Sequence, residues 1–102
     1  MPIEYTIKKF KDKDMILIEF NIPGGVLDIK ELEDVVNSAP EVEGDKGICI
    51  SGRGPIWLYG ALLHKYHYAK WLATYEPRKN ACVVVASHDK SKRVGDLIPL
   101  EE

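Results

Sequence analysis

Residues 47–77, GICISGRGPIWLYGALLHKYHYAKWLATYEP, decide the fold. GICIS is short, apolar and bounded by glycine, which is typical of a buried strand. Pro55 suits the first turn of a helix, where its missing N–H costs nothing, and this helix is predicted to run to about Lys70. WLATYE is predicted to be the next strand. The spacing is that of a βαβ crossover, so the two strands are predicted to be parallel.

The flanking segments add strands and a second helix. YTIKKF and MILIEFNI, joined by the polar KDKD, predict a β-hairpin. Asp28 can cap a helix through IKELEDVVNSA, which has one apolar and one acidic face and ends before Pro40. PRKN turns the chain into an antiparallel strand, ACVVVASH, and VGDLIPL can add a short edge strand. The predicted class is α/β, with a small mixed sheet and two helices.

Length and composition indicate a single domain over residues 1–102. The chain is 45% hydrophobic and 29% charged, as folded domains are. No apolar stretch approaches the roughly 20 residues that span a bilayer, and MPIEYTIKKF lacks the apolar core of a signal peptide. We therefore expect a cytoplasmic protein with no membrane partner. Cys49 and Cys82 lie in apolar runs and are expected to be buried free thiols.

Charge is unevenly distributed, although the net charge is only -2. Residues 21–50 contain seven acids and two bases, whereas residues 51–93 contain eight bases and two acids. A protein that binds nucleic acid in general is usually basic overall, so the pattern favours a small or local anionic ligand rather than DNA. Two solvated surfaces of opposite charge would give the same pattern.

The predicted topology places polar residues at two opposite edges of the sheet. Loops that follow the carboxyl ends of parallel strands share one edge, where such folds usually bind ligands. The helix descends about 18 Å from Pro55 to His67 at about 1.5 Å per residue, so His67 is predicted near the opposite edge, where the strand ending in His88 also arrives. The first edge is predicted to carry Ser51, Gly52, Arg53, Glu76 and Arg78.

Each of these features has a structural alternative. SGRG before a helix offers backbone N–H groups, a helix dipole and a guanidinium, which suit phosphate, but a tight turn would need the same glycines. Glu76 can hold a metal or simply pair with Arg78. A helix face is predicted to carry Trp57, Gly60, His64, His67 and Trp71, at intervals of three or four residues.

That helix face can serve packing or chemistry. It can be a packing face, including a subunit interface at which Gly60 permits close approach. Alternatively, His64 and His67 can bind a ligand or a metal. A histidine in the position of His67 can also act as a general acid or base.

Residues 46–88, followed by VGDLI, closely resemble the small CRISPR-associated proteins of the Csx type that act as ring nucleases in type III systems. The recognisable marks are Ser-Gly-Arg-Gly-Pro-Ile-Trp-Leu, the His-Lys-Tyr-His pair and an Asp-Pro-Arg. The resemblance implies a fold distantly related to CARF domains, dependence on manganese and cleavage of cyclic tetraadenylate. It also implies a homodimer that stacks head-to-tail into tetramers around the ligand.

When residue roles are carried over by motif, the resemblance implies that His67 and Glu76 are the catalytic residues and the candidate manganese ligands. In that family the histidine and the acid lie at opposite ends of the subunit, so the site is completed between two dimers. Glu76 stands where the family pattern has aspartate, and a displacement of about 1 Å can lower a rate about 100-fold. Ligand binding is assigned to Ser51, Gly52, Arg53, His64, Arg78 and His88.

The leading functional hypothesis is a manganese-dependent phosphodiesterase that linearises cyclic tetraadenylate and switches off antiviral signalling. The metal would either activate water or polarise the phosphate while a ribose 2′-hydroxyl attacks. One alternative is a metal-dependent 3′ deadenylating exoribonuclease that acts on short oligoadenylate RNA. Another is a non-catalytic sensor or sink that binds the ring without cutting it. This alternative stays open because Glu76 stands where the family pattern has aspartate.

Overall fold

The computed structural model describes residues 2–100 and contains one six-stranded sheet with the strands in chain order. Strands β2, β3 and β4 are mutually parallel neighbours, and the remaining neighbours are antiparallel. The predicted hairpin, βαβ unit, returning strand and edge strand are therefore confirmed. The strands are β1 Glu4–Phe10, β2 Met15–Asn21, β3 Gly47–Ser51, β4 Trp71–Glu76, β5 Ala81–Ser87 and β6 Leu97–Pro99.

Two helices cover one face of the sheet, and their bounds differ from the prediction. The Asp28 side chain caps the first helical segment together with Glu31, as a capping box does. That segment begins as the 3-10 turn Ile29–Glu31 and continues as helix α1, Leu32–Asn37. Helix α2 spans Ile56–Lys65, with Pro55 at its N-cap. No helix among residues 2–100 is long and apolar enough to cross a membrane.

Helix α2 ends earlier than predicted, at Lys65 rather than about Lys70. The backbone leaves the helix at Tyr66, and Trp71 is the first residue of β4. The Trp71 side chain is 2% exposed and packs with Met15 and Ala73 on the sheet face opposite the helices. The prediction that Trp71 shares a face of α2 with Gly60 is therefore wrong.

Each face of the sheet has its own apolar core. On the helix face, Ile48 and Ile50 of β3 pack with Leu58 and Leu62 of α2, and all four are fully buried. The opposite core includes Met15, Leu17, Cys49, Trp71, Ala73, Cys82, Val84 and Ile98. Burial on both faces makes β3 a central strand and fixes where its carboxyl end emerges.

Cys49 and Cys82 form a disulfide between β3 and β5, on either side of β4. Both residues are fully buried, as expected. The expectation of free thiols is wrong, because each cysteine is the partner of the other. The apolar runs around them predicted burial but contained no information about pairing across an intervening strand.

Candidate functional site

The carboxyl ends of β3 and β4 bring one group of candidate residues together. The two strands are parallel neighbours, with Ile50 opposite Thr74 in the register. β3 ends at Ser51 and β4 ends at Glu76, so the residues that follow both strands emerge at one edge of the sheet. We call this group the arginine edge; it comprises Ser51, Gly52, Arg53, Glu76 and Arg78.

Gly52 gives the arginine edge its tight turn. Its φ is +150°, and a Cβ atom there would lie 2.6 Å from the carbonyl oxygen of Phe20 on β2. A side chain at this position would therefore collide with backbone, which cannot move aside easily. The Tyr59 hydroxyl of α2 donates a 2.6 Å hydrogen bond to the Gly52 carbonyl, and burial raises the pKa of Tyr59. The turn thus has a packing role in addition to the proposed ligand role.

Arg53 follows this turn and is exposed. It lies just before the N-terminus of α2, where the first backbone N–H groups have no partner within the helix. The first turn of α2 contains no acidic residue, so no carboxylate within that turn offsets the positive end of its dipole. The local backbone and Arg53 can therefore attract an anion such as phosphate.

Glu76 and Arg78 contact each other across the turn after β4. Glu76 Oε2 accepts a 3.1 Å hydrogen bond from the Arg78 backbone N–H and lies 3.7 Å from Arg78 Nε. The Arg78 side chain is 91% exposed. Ion pairs this exposed stabilise a protein little, so a ligand can compete for either group. Glu76 does therefore pair with Arg78, as the structural alternative predicted, and both side chains remain accessible to solvent.

Three histidines form a second group at the other edge of the sheet, which we call the histidine edge: His64, His67 and His88. The rings of His64 and His67 stack with centroids 5.7 Å apart. His67 Nδ1 lies 3.0 Å from the His64 carbonyl oxygen, and His88 Nε2 lies 3.3 Å from the His67 carbonyl oxygen. The backbone segment that carries His67 is therefore linked to both other histidines.

These contacts decide which nitrogen of His67 is free. A carbonyl oxygen only accepts hydrogen bonds, so Nδ1 of His67 carries the proton in this contact. In the neutral ring the lone pair is then on Nε2, which can take a proton or bind a metal. The His67 side chain is exposed, so an incoming ligand can reach this nitrogen.

Sequence reasoning missed the residues that hold the histidine edge in place. Lys65 Nζ lies 2.9 Å and 2.8 Å from two carbonyl oxygens of the segment 36–42, and it pairs with Glu41 at 3.3 Å. The hydroxyls of Tyr66 and Tyr68 donate to two further carbonyls of the same segment, at 2.5 Å and 2.8 Å. We call Lys65, Tyr66 and Tyr68 the carbonyl clamp. The sequence signal was their interleaving with the histidines in HKYHY.

An ion-pair network adjoins the histidine edge. Asp14, at the end of the β1–β2 turn, pairs with Lys70 at 3.0 Å and with Lys46 at 3.4 Å. The hydrogen bond from Lys70 is the main cause that lowers the pKa of Asp14, and the same bond raises the pKa of Lys70. The backbone of Lys70 also accepts a hydrogen bond from the N–H of His88. Asp14 therefore anchors the segment between His67 and β4.

Strand β4 separates the two edges within one chain. It has six residues and is therefore about 17 Å long at about 3.3 Å per residue. His67 precedes it and Glu76 ends it, so one subunit does not bring these two side chains together. Among residues 2–100, no three His, Cys, Asp or Glu side chains are grouped closely enough to hold a metal ion. The carboxylate of the arginine edge suits manganese, whereas the imidazoles of the histidine edge suit zinc, copper, iron or nickel better, and one chain supplies the two kinds of donor at separate places.

The sequence of this chain matches a class of CRISPR-associated proteins. The family described as CRISPR-associated protein (Cas_csx3) matches residues 21–99. An uncharacterized protein from Aquifex aeolicus (strain VF5) is 39% identical over 101 residues, which cover 97% of this chain and 89% of that protein. The chain therefore belongs to the Cas_csx3 family of CRISPR-associated proteins. The CRISPR part of the resemblance is confirmed.

Proposed function

We propose that this protein is a manganese-dependent ring nuclease that binds and linearises cyclic tetraadenylate, and so switches off type III CRISPR signalling. The observation that carries the proposal is the arginine edge: a glycine turn at a helix N-terminus, two exposed arginines and a carboxylate on neighbouring strand ends. In a CRISPR-associated chain, a phosphodiester of a signalling nucleotide is the ligand that this chemistry favours.

The arginine edge would bind the ring through its phosphates. Gly52 lets the backbone approach a phosphate closely, and the free N–H groups at the start of α2 point toward an anion held there. Arg53 and Arg78 would add charge-assisted hydrogen bonds. Since both guanidinium groups are exposed, they are available to a ligand without breaking a buried contact.

Glu76 and His67 would act on the phosphodiester that is cut. Manganese, when bound, supplies Lewis-acid stabilisation of the phosphate and a lowered pKa for bound water; Glu76 is the carboxylate that would hold it. His67 would accept or donate a proton through Nε2, or would ligate the metal. Because β4, about 17 Å long, lies between the two residues, the His67 involved would belong to a second subunit stacked on the first.

A non-catalytic binding protein is the second candidate, and one contact favours it. Glu76 Oε2 accepts a hydrogen bond from the Arg78 backbone and lies 3.7 Å from Arg78 Nε, so a metal bound by Glu76 would have to compete with these contacts. In that case the same edge would bind cyclic tetraadenylate and leave it intact.

One incubation separates these functions. Purified protein is mixed with labelled cyclic tetraadenylate in manganese, in magnesium or in EDTA, and the products are resolved by chromatography. Manganese-dependent linear products are expected from the ring nuclease. An intact ring that co-elutes with the protein would support the binding protein and overturn the nuclease. A linear oligoadenylate, added as substrate or as competitor, separates the two enzymes. The exoribonuclease would prefer this linear molecule to the ring.

A further inference from the structure

We propose that Asn21 binds an adenine base of the ligand through its side-chain amide, in a cleft beside the arginine edge. The cleft has a volume of about 260 Å³ and is lined by Glu4, Thr6, Glu19, Phe20 and Asn21; we call it the Asn21 cleft. The inference rests on the proposed function, because it assigns a part of cyclic tetraadenylate that the arginine edge does not bind. None of these lining residues belongs to either edge.

The Asn21 cleft lies directly beside the glycine turn. Strands β2, β3 and β4 are parallel neighbours, so Asn21, the last residue of β2, emerges at the same edge as the turn after β3. Glu19 is opposite Ser51 in the register, and neighbouring strands are about 5 Å apart. The carbonyl that Gly52 approaches is that of Phe20, which precedes Asn21 in the chain. A nucleotide with its phosphate at Gly52 can therefore reach the cleft with its base.

The charges of the turn and of the cleft differ, which assigns the phosphate to one and the base to the other. Arg53 is exposed beside the turn, whereas the cleft is lined by the acidic residues Glu4 and Glu19. The Nζ atom of Lys8 lies 3.6 Å from Glu19 Oε1. Carboxylates repel a phosphate but accept hydrogen bonds from an amino group. The cleft is smaller than the roughly 300–1,000 Å³ of complete ligand sites, so it suits one base.

The amide of Asn21 is oriented by one contact. Its Nδ2 donates a 3.2 Å hydrogen bond to Glu4 Oε1, and Glu4 is the cross-strand partner of Asn21 in the β1–β2 register. An ionised carboxylate only accepts hydrogen bonds, so the amide nitrogen faces Glu4. Within residues 2–100 this is the one hydrogen bond of the exposed Asn21 side chain. Oδ1 and the second N–H are therefore available to a ligand.

These two groups match the hydrogen-bonding pattern of adenine. The N6 amino group of adenine donates and the neighbouring N7 accepts, and an asparagine amide pairs with both at once. Hypoxanthine has a carbonyl in place of the amino group, so its oxygen would face Oδ1 of Asn21, and two acceptors repel each other. The amide therefore favours adenine over hypoxanthine. Glu4 is the positioning residue, because it sets which way the amide points.

Ring binding in EDTA, measured by isothermal titration calorimetry, is the first test. The ligands are cyclic tetraadenylate and cyclic tetrainosinate, in which hypoxanthine replaces each adenine. We expect the wild type to prefer the adenine ring about tenfold or more, and Asn21→Ala to lose this preference. Glu4→Ala should reduce it, and Glu4→Gln, which keeps an acceptor oxygen, should retain most of it.

Asn37→Ala is the matched control for these titrations. Asn37 is also exposed, but it ends α1 near Lys65, so its removal should leave the preference unchanged. Thermal melts followed by circular dichroism check that all variants remain folded. A variant of Asn21 that weakens both rings equally would contradict a role in base selection.

A mononucleotide tests the Asn21 cleft independently of the ring. Adenosine monophosphate is titrated into isotope-labelled protein while the side-chain amide signals of Asn21 are followed by NMR. We expect it to shift these signals more than inosine monophosphate does, which would support the cleft even if the ring is never cut. Rings bound with equal affinity, an Asn21→Ala protein that still prefers adenine, or Asn21 signals that adenosine monophosphate does not move would overturn the inference. The nuclease proposal would then still be decided by the cleavage assay alone.

Discussion

The two edges of the sheet are built in opposite ways. At the arginine edge the backbone is constrained by the close approach of Gly52 to Phe20 and by the Tyr59 hydrogen bond, while the two arginine side chains are exposed. At the histidine edge, the side chains of the carbonyl clamp fix the segment that carries His67. The difference teaches that one edge presents a preshaped turn with exposed arginines, whereas the other fixes the backbone segment that carries its histidines.

Removing either proposed catalytic group should have the largest effect. We expect His67→Ala to lower the rate of ring cleavage by a factor of about 100 to 10,000, the usual contribution of an acid–base group. Glu76→Ala should lower it similarly by removing the metal ligand. Binding of the ring, measured by titration without metal, should change far less in His67→Ala.

Mixing those two variants tests whether the edges work together between subunits. A stack formed from His67→Ala and Glu76→Ala chains can contain an intact composite site, so the mixture should regain part of the activity. Folded variants that bind the ring but recover no cleavage on mixing would contradict an arrangement in which each subunit supplies one edge.

Gly52→Ala should break the arginine edge through its backbone. The added methyl would press on the Phe20 carbonyl, and overpacking of this kind costs about 1–3 kcal/mol. We expect a lower free energy of unfolding in urea and a larger loss of ring binding than of turnover in the bound state. A variant with wild-type stability would show that the chain relaxes around the methyl.

Tyr66→Phe should weaken the histidine edge by a smaller amount. Loss of the hydroxyl leaves the Pro40 carbonyl without this partner, and such losses cost about 1–3 kcal/mol when the group is buried. Tyr75→Phe is the matched control, because the Tyr75 hydroxyl bonds to the exposed side chain of Asn80. Equal urea midpoints for the two variants would contradict the proposed role of the clamp. Turnover should fall more than ring affinity in Tyr66→Phe.

The smallest effect should be the pH dependence of the Asp14–Lys70 pair. The pKa of Asp14 is lowered, so its contribution to stability is present above the ordinary carboxyl range and is lost as the pH falls through the folded-state pKa. The pKa of Lys70 is raised, so its contribution is lost only as the pH rises through a value above the ordinary lysine range. Asp14→Asn should flatten both limbs of a plot of urea midpoint against pH; unchanged limbs would exclude the pair as their source.

The local patterns predicted most of the fold because they agree with the tertiary packing. Two apolar-rich segments joined by the polar KDKD predicted the hairpin, and Asp28 predicted the start of the first helix. The end of α2 was wrong because the three- and four-residue spacing continues through His67 to Trp71. Trp71 instead packs where Gly47 leaves room for its indole, a contact between β3 and β4 that helical periodicity does not contain.

The sequence predicted which residues form each edge of the candidate site, but not the contacts that hold each edge in place. Parallel strands and a crossover helix suffice to place Ser51 with Glu76 and to send His67 to the opposite edge. The carbonyl clamp was missed because its acceptors are backbone carbonyls of residues 36–42, which any sequence would provide. The disulfide was missed because Cys49 of β3 and Cys82 of β5 meet across β4, and neither cysteine lies in that intervening strand.

The Cys49–Cys82 disulfide closes a covalent loop over a separation of 33 residues. Helix α2, strand β4 and all candidate site residues except His88 lie inside this loop. A protease that cuts the chain once between the cysteines therefore releases nothing, because the two fragments stay linked through sulfur. On a gel such a nicked protein keeps its full mass until reductant is added, and both edges remain parts of one molecule.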